Sequence, residues 1–166
     1  MHWGKDQDLS VLFVCLGNIC RSPMAEGAFR AAAEKIGLKV HTDSVGTAGY
    51  HVGENPDPRA VHVARQHGVD ISAARGRQLA DEDFTAFTHI LALDTANLAG
   101  IKARAPRIRK AELGLLLNVF EGRNDGSVPD PYYGDESDFA ECWDQISEAT
   151  EELANQLKQQ DESSNA

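Results

Sequence analysis

LSVLFVCLGNICRSP, residues 9–23, is the stretch from which the fold of this 166-residue chain can be read. Leu9 to Val14 is an apolar, β-branched run of the kind that forms a strand buried on both faces. At Cys15 the composition changes to Cys-Leu-Gly-Asn-Ile-Cys-Arg-Ser, and Pro23 then opens a helical pattern. Proline suits a first helical turn because its missing N–H would have had no partner there. The stretch therefore predicts a strand, a tight loop and a helix N-terminus in succession. Such a loop points backbone N–H groups at one spot, reinforced by the positive end of the helix dipole, and that spot attracts phosphate-like anions.

Two residues make this loop more than an anion nest. Cys15 begins it and Arg21 closes it, giving the spacing C-x5-R. A thiolate is the nucleophilic form of cysteine, and cations and helix N-termini favour it. Arginine offers a planar fork of donors that can hold two oxygens of a phosphate at once. The spacing alone is a weak signal, since an isolated cysteine at a strand end is ordinarily a small buried hydrophobe. Its setting between a buried strand and a helix start is what gives it weight.

Working outward, a first helix is predicted over Pro23–Ile36, with Gly37 at the cap position. Leu38–Ser44 alternates and reads as a second strand. Val45–Pro56 is a glycine-dense loop carrying Tyr50 and His51. Asp57-Pro58 is an N-cap and first-turn pair for a second helix to His67, stopped by Gly68. Ile71–Asp83 reads as irregular, followed by a short helical turn. His89–Leu93 is a third buried strand, and Asp94-Thr95 caps a helix to Arg104 that Pro106 ends. A fourth strand is placed within Ala111–Leu117, with a helical turn as the alternative there. Glu121–Ser127 reads as loop. From Asp138 the apolar positions Phe139, Cys142, Trp143, Ile146, Leu153 and Leu157 recur at helical spacing along one long amphipathic helix.

Strands alternating with helices imply crossover connections and a parallel sheet, whose ligands bind beyond the carboxyl ends of the strands. The expected fold is a single α/β domain, a four-stranded parallel sheet flanked by helices on both faces. Residues 1–8 are assigned as an N-terminal extension, 9–160 as the domain and 161–166 as a disordered tail.

A formal net charge of −10 argues against nucleic acid or an acidic membrane surface as the main partner. The anion site must then be a local positive feature in a negative field. No apolar run approaches membrane-spanning length, and MHWGKDQD lacks a signal-peptide h-region, so a cytosolic protein is expected. Three cysteines without paired spacing form neither a disulfide framework nor a zinc site. The six histidines (2, 41, 51, 62, 67 and 89) have no metal-ligand spacing, so neither metal nor cofactor is expected.

VLFVCLGNICRSPMAE resembles the phosphate-binding loop of the low-molecular-weight protein tyrosine phosphatases, whose pattern is V-C-x-G-N-x-C-R-S-P. DPYYGDESDF, Asp130 to Phe139, resembles the family segment that carries the general acid. The likeness runs from about Val11 to the C-terminal helix. By itself Asp130-Pro131 is a common turn pair whose aspartate makes a local hydrogen bond; the resemblance implies catalysis there, with Asp135 as a helper or surface residue. It also implies hydrolysis of phosphotyrosine and small aryl phosphates, with Cys15 as nucleophile and Arg21 binding the phosphate. Substrate contacts are then expected from Leu16, Gly17, Asn18, Ile19, Cys20 and Ser22 of the loop, and from the aromatic walls Tyr50, Tyr132 and Tyr133. Ser22 is placed beside the Cys15 sulfur as a hydrogen-bond donor, its ordinary alternative being a helix N-cap. Asn18 suits an unusual backbone conformation in so tight a loop. Ser44 corresponds to a family serine that supports that asparagine, and the position aligned with a supporting family histidine holds Ala73. Cys20 is open to two readings, a structural thiol or a reversible disulfide partner of Cys15. The partners implied are a phosphotyrosine protein and phosphate, sulfate or vanadate in the loop, with the chain a monomer or weak dimer.

Three rivals are weaker. Thioredoxin-linked arsenate reductases share the loop but relay a disulfide through further cysteines, and residues 44–93 contain none. A module that binds phosphotyrosine without turnover would not need Cys15, Arg21 and Asp130 together. A nucleotide-binding P-loop would require G-x-x-x-x-G-K-[ST], which does not occur.

Overall fold

In the computed structural model, which describes residues 8–120 and 126–164, the strand of the opening stretch is β1, Ser10–Cys15, buried along its whole length. It lies at the centre of a four-stranded sheet in the order β2-β1-β3-β4, every pairing parallel. The other strands are β2 (His41–Gly46), β3 (His89–Ala92) and β4 (Glu112–Leu115). Between and after them run α1 (Arg21–Lys35), α2 (Pro58–Gln66), the short α3 (Asp83–Ala86), α4 (Thr95–Arg104) and α5 (Glu136–Ser164). The chain leaves β1 toward β2 on one side and returns to β3 on the other. The order thus reverses at β1, and the Cys15 loop emerges at that switch point.

The alternation of β1 divides the core in two. Val11, Phe13 and Cys15 join Met24, Phe29, Ala60, Trp143 and Ile146 under α1, α2 and α5. Leu12 and Val14 join Val45, Phe84, Ile90 and Ile101 under α3 and α4. Phe13 and Phe29 meet edge to face at 5.5 Å between ring centroids, a contact worth about 1 kcal/mol beyond its buried area.

Most boundaries move by a residue or two, and larger differences have physical reasons. Strand β2 begins at His41 rather than Leu38, because Leu38 is consumed in ending α1: its N–H bonds the Ala33 carbonyl at 2.9 Å around Gly37, whose φ is +69°. The fourth strand and the helical turn both occur, as β4 followed by a 3-10 turn, Leu116–Val119. The tail expected to be disordered from residue 161 is helical through 164, where α5 ends, and residues 165–166 lie outside those described. Gln and Glu propagate a helix well, and Lys158 lies 4.0 Å from Glu162 one turn on. The loop expected over 121–127 falls partly outside the described residues.

His89, buried on β3, receives or gives a 2.9 Å bond at Nδ1 with Thr88 Oγ1. Burial lowers its pKa from 6.5 to about 4. Between those values the unfolded chain takes up a proton that the folded chain refuses. Stability present above pH 6.5 is therefore lost as pH falls toward 4, by up to about 3 kcal/mol. Urea unfolding at pH 7 and pH 4.5 should show this fall, and His89→Gln should flatten it. An unchanged pH slope in that variant would remove the assignment.

Candidate active site

The loop after β1 is bent around Asn18, the one described non-glycine residue with positive φ, at +61°. Asparagine tolerates this conformation, and its side chain is fully occupied in holding it. Nδ2 donates to Ser22 Oγ at 2.8 Å and to Ser44 Oγ at 3.0 Å, and Oδ1 accepts the Arg77 N–H at 3.0 Å. The turn aims the Asn18 N–H at Cys15 Sγ, 3.3 Å away, and places Ser22 Oγ 3.0 Å from the same sulfur. Ser22 has one hydroxyl hydrogen and two acceptors within reach, Sγ and the Val45 carbonyl at 3.3 Å. With a thiolate at Cys15 the shorter contact takes it. No side chain caps α1, so its first N–H groups add to the positive rim of the loop.

Arg21, 3% exposed, closes the loop. Its Nη1 donates to Asp94 Oδ2 at 2.6 Å and to the Val128 carbonyl at 3.0 Å, while Nη2 lies 3.7 Å from Asp130 Oδ2. Burial opposes the charge, but Cys15, Asp94 and Asp130 outweigh it and the guanidinium pKa is raised. Nη1 is thus committed to scaffolding, leaving Nη2 and Nε to face an anion. Asp94 serves two elements, since its other oxygen accepts the Asn97 N–H at 2.6 Å and caps α4.

Above the loop is a cavity of about 140 Å³. Cys15, Leu16, Gly17, Ile19, Cys20 and Arg21 form its floor, and Tyr50, His51, Asp130, Tyr132 and Tyr133 its walls. Asn18 and Ser22, expected among the substrate contacts, do not line it: their side chains turn behind the loop toward Ser44 and Val45. Tyr132 and Tyr133 meet edge to face at 4.9 Å, and His51 stands 6.3 Å from Tyr132. His51, whose spacing gives it no role, packs against the loop: a Cβ on Gly17 would come within 2.9 Å of its ring. Asp130 is 41% exposed at the side chain and accepts the Tyr132 N–H at 3.1 Å.

A thiol, a buried guanidinium and a carboxyl thus converge on one anion-shaped cavity. The family model for low molecular weight phosphotyrosine protein phosphatases matches residues 10–163. The chain belongs to that family. A low molecular weight phosphotyrosine protein phosphatase of Schizosaccharomyces pombe is 40% identical over 143 residues, 84% of this chain and 91% of that one. A low molecular weight protein-tyrosine-phosphatase of Streptomyces coelicolor is 41% identical over 155 residues, 90% and 94% of the two chains. The crystal structure of a protein tyrosine phosphatase from Entamoeba histolytica, with Hepes in its active site, superposes with a TM-score of 0.86 at 34% identity, covering 92% of this chain and 98% of that one. As a member of the low molecular weight phosphatases the chain is a protein-tyrosine-phosphatase, a hydrolase.

Ala73 lines, with Glu26, Asp43, Ser44 and Ala74, a second cavity of about 190 Å³. Burial, and then Asp43, raise the Glu26 pKa. The Arg77 backbone supplies Asn18's oxygen with its partner here, and the Arg77 side chain is pinned to Asp43 at 3.0 Å and Asp83 at 2.8 Å. All three cysteines are free thiols. Burial, with the charges of Asp57 and Cys15, pushes the Cys20 thiol up, so it stays protonated; Cys142 is pushed up to about 12, chiefly by burial. No helix among the described residues is long and apolar enough to cross a membrane.

Proposed function

We propose that the chain hydrolyses phosphotyrosine in proteins, and small aryl phosphates, through a phosphocysteine formed on Cys15. The observation that carries the reading is the convergence on one sulfur of the Asn18 N–H at 3.3 Å and Ser22 Oγ at 3.0 Å, with Arg21 closing the same loop. Those donors stabilise a thiolate, while Arg21 and the loop N–H groups offer donors for the equatorial oxygens of a bound phosphate. In the first step Cys15 attacks phosphorus, the bond to the aryl oxygen breaks, and Asp130 protonates the leaving phenolate. In the second, Asp130 takes a proton from water, the water oxygen bonds to phosphorus, and inorganic phosphate leaves as the thiolate is restored. Arg21 holds the phosphoryl oxygens through both.

Tyr50, Tyr132 and Tyr133 make the walls aromatic, and Leu16 and Ile19 add apolar surface, which suits a phenyl ring. A phosphoryl group on a ring reaches the floor of such a cavity, whereas the shorter phosphoserine stem leaves it above the donors. Hepes in the active site of the Entamoeba enzyme carries a sulfonate, in keeping with tetrahedral anions such as phosphate, sulfate or vanadate in this loop. A nucleophile that must stay reduced fits a cytosolic setting.

Release of phosphate from phosphotyrosyl peptide and aryl phosphates tests the reading. Asp130→Asn keeps the turn but removes the proton. It should lower kcat/KM for phenyl phosphate by roughly 10²-fold or more, the usual contribution of a general acid, and barely affect 2,4-dinitrophenyl phosphate, whose leaving group needs no proton. Equal losses on both substrates would exclude Asp130 as the proton donor.

A further inference from the structure

We infer that Arg59, on the first turn of α2, is a positioning residue that ties the segment carrying Asp130 to the phosphate loop and so sets the reach of the acid. The inference rests on Asp130 being the proton donor. Few contacts hold Asp130 itself: a turn bond to its own chain and the 3.7 Å approach of Arg21. The segment that follows it is held from outside. Arg59 Nη2 donates to the Tyr132 carbonyl and Nη1 to the Gly134 carbonyl, both at 2.9 Å, bracketing Tyr133. Its guanidinium carbon lies 4.4 Å over the buried Phe139 ring and 5.9 Å from the Tyr132 ring, a face-on contact that fixes the plane of the fork.

The other side of the fork faces Asp57. Nε meets Oδ1 at 3.0 Å and Nη2 meets Oδ2 at 2.9 Å, a bidentate pair. Asp57 in turn donates its N–H to the Ile19 carbonyl at 2.8 Å, within the phosphate loop. Two residues therefore span from the loop that holds phosphorus to the segment that delivers the proton. Four of the five guanidinium N–H groups are used in doing so, and the charge is matched by Asp57. Arg59 is thus built as a brace rather than as a ligand for substrate phosphate. A shift of about 1 Å at a proton donor is enough to cost most of its effect.

The experiment compares Arg59→Met, Arg59→Lys and Asp130→Asn on phenyl phosphate and 2,4-dinitrophenyl phosphate, with inhibition by vanadate reporting the phosphate loop. Arg59→Met keeps the stacked stem and loses the fork. It is expected to lower kcat/KM for phenyl phosphate roughly ten- to hundred-fold, within the range of a general acid, while 2,4-dinitrophenyl phosphate and vanadate change less than about three-fold. Arg59→Lys, which can still reach one carbonyl, should recover part of the loss. Equal losses on both substrates, weakened vanadate inhibition, or no loss on phenyl phosphate would each overturn the inference. If Arg59→Met does not fold, Asp57→Asn, which retains an N-cap side chain, is read by the same substrate ratio. Should Asp130→Asn lack the leaving-group signature, the acid assignment itself fails; should it show the signature and the Arg59 variants not, only the brace does.

Discussion

Cys15→Ser is expected to abolish turnover, lowering kcat/KM on every aryl phosphate by roughly 10⁵-fold or more, since a serine hydroxyl at that place has no base beside it to make it a nucleophile. The neighbours of Sγ are donors, the Asn18 N–H and the Ser22 hydroxyl. They stabilise an existing anion and cannot remove a proton from an alcohol. The loop itself should survive, because the Asn18 side chain is held by Ser22, Ser44 and the Arg77 backbone independently of the sulfur. The variant should accordingly still bind vanadate or phosphotyrosyl peptide, measured by calorimetry. Activity equal to wild type would exclude Cys15 as the nucleophile.

The second large effect is expected at Arg21. Arg21→Lys keeps the charge and loses the fork, and should lower kcat/KM by roughly 10³-fold, the scale of losing preorganised donors to a developing anion. Lysine offers one nitrogen where the guanidinium offers Nη1 to Asp94 and Val128 and a second edge to the ligand. It can satisfy the scaffold or the phosphate, not both. Vanadate inhibition should weaken in the same variant, which separates it from Asp130→Asn, where every donor of the loop and of Arg21 is kept. A loss of less than about ten-fold, with vanadate affinity unchanged, would mean that the loop amides hold the anion without Arg21.

What was legible in the sequence follows from how locally each feature is encoded. Cys15, Asn18, Arg21 and Ser22 lie close together in the chain, from the end of β1 through the loop to the first turn of α1, so their grouping needs no knowledge of the tertiary structure. The caps Asp57 and Asp94 were equally readable, because an N-cap bond closes within three residues. Their second functions were not. Asp94 meets Arg21 across 73 positions, Arg59 meets Tyr132 across 73, and Arg77 meets Asn18 across 59. Nothing in an isolated Asp-Thr or Pro-Arg dipeptide announces such a contact. Asp130 was legible only through its resemblance to a known segment, its local chemistry being that of any Asp-Pro turn. The end of α5 was misplaced because a polar tail and an exposed last helical turn have the same composition; helix propagation from the packed turns before it decides between them.

The central claim is that phosphorus is bonded to one sulfur midway through each turnover. Acid quenching of the enzyme during steady-state hydrolysis of an aryl phosphate, followed by peptide mapping under conditions that preserve thiophosphates, reads this directly. The account predicts a phosphorylated tryptic peptide of residues 6–21 with the modification on Cys15, absent in Cys15→Ser. Phosphate on any other residue, or sustained turnover with no labelled protein, would contradict it.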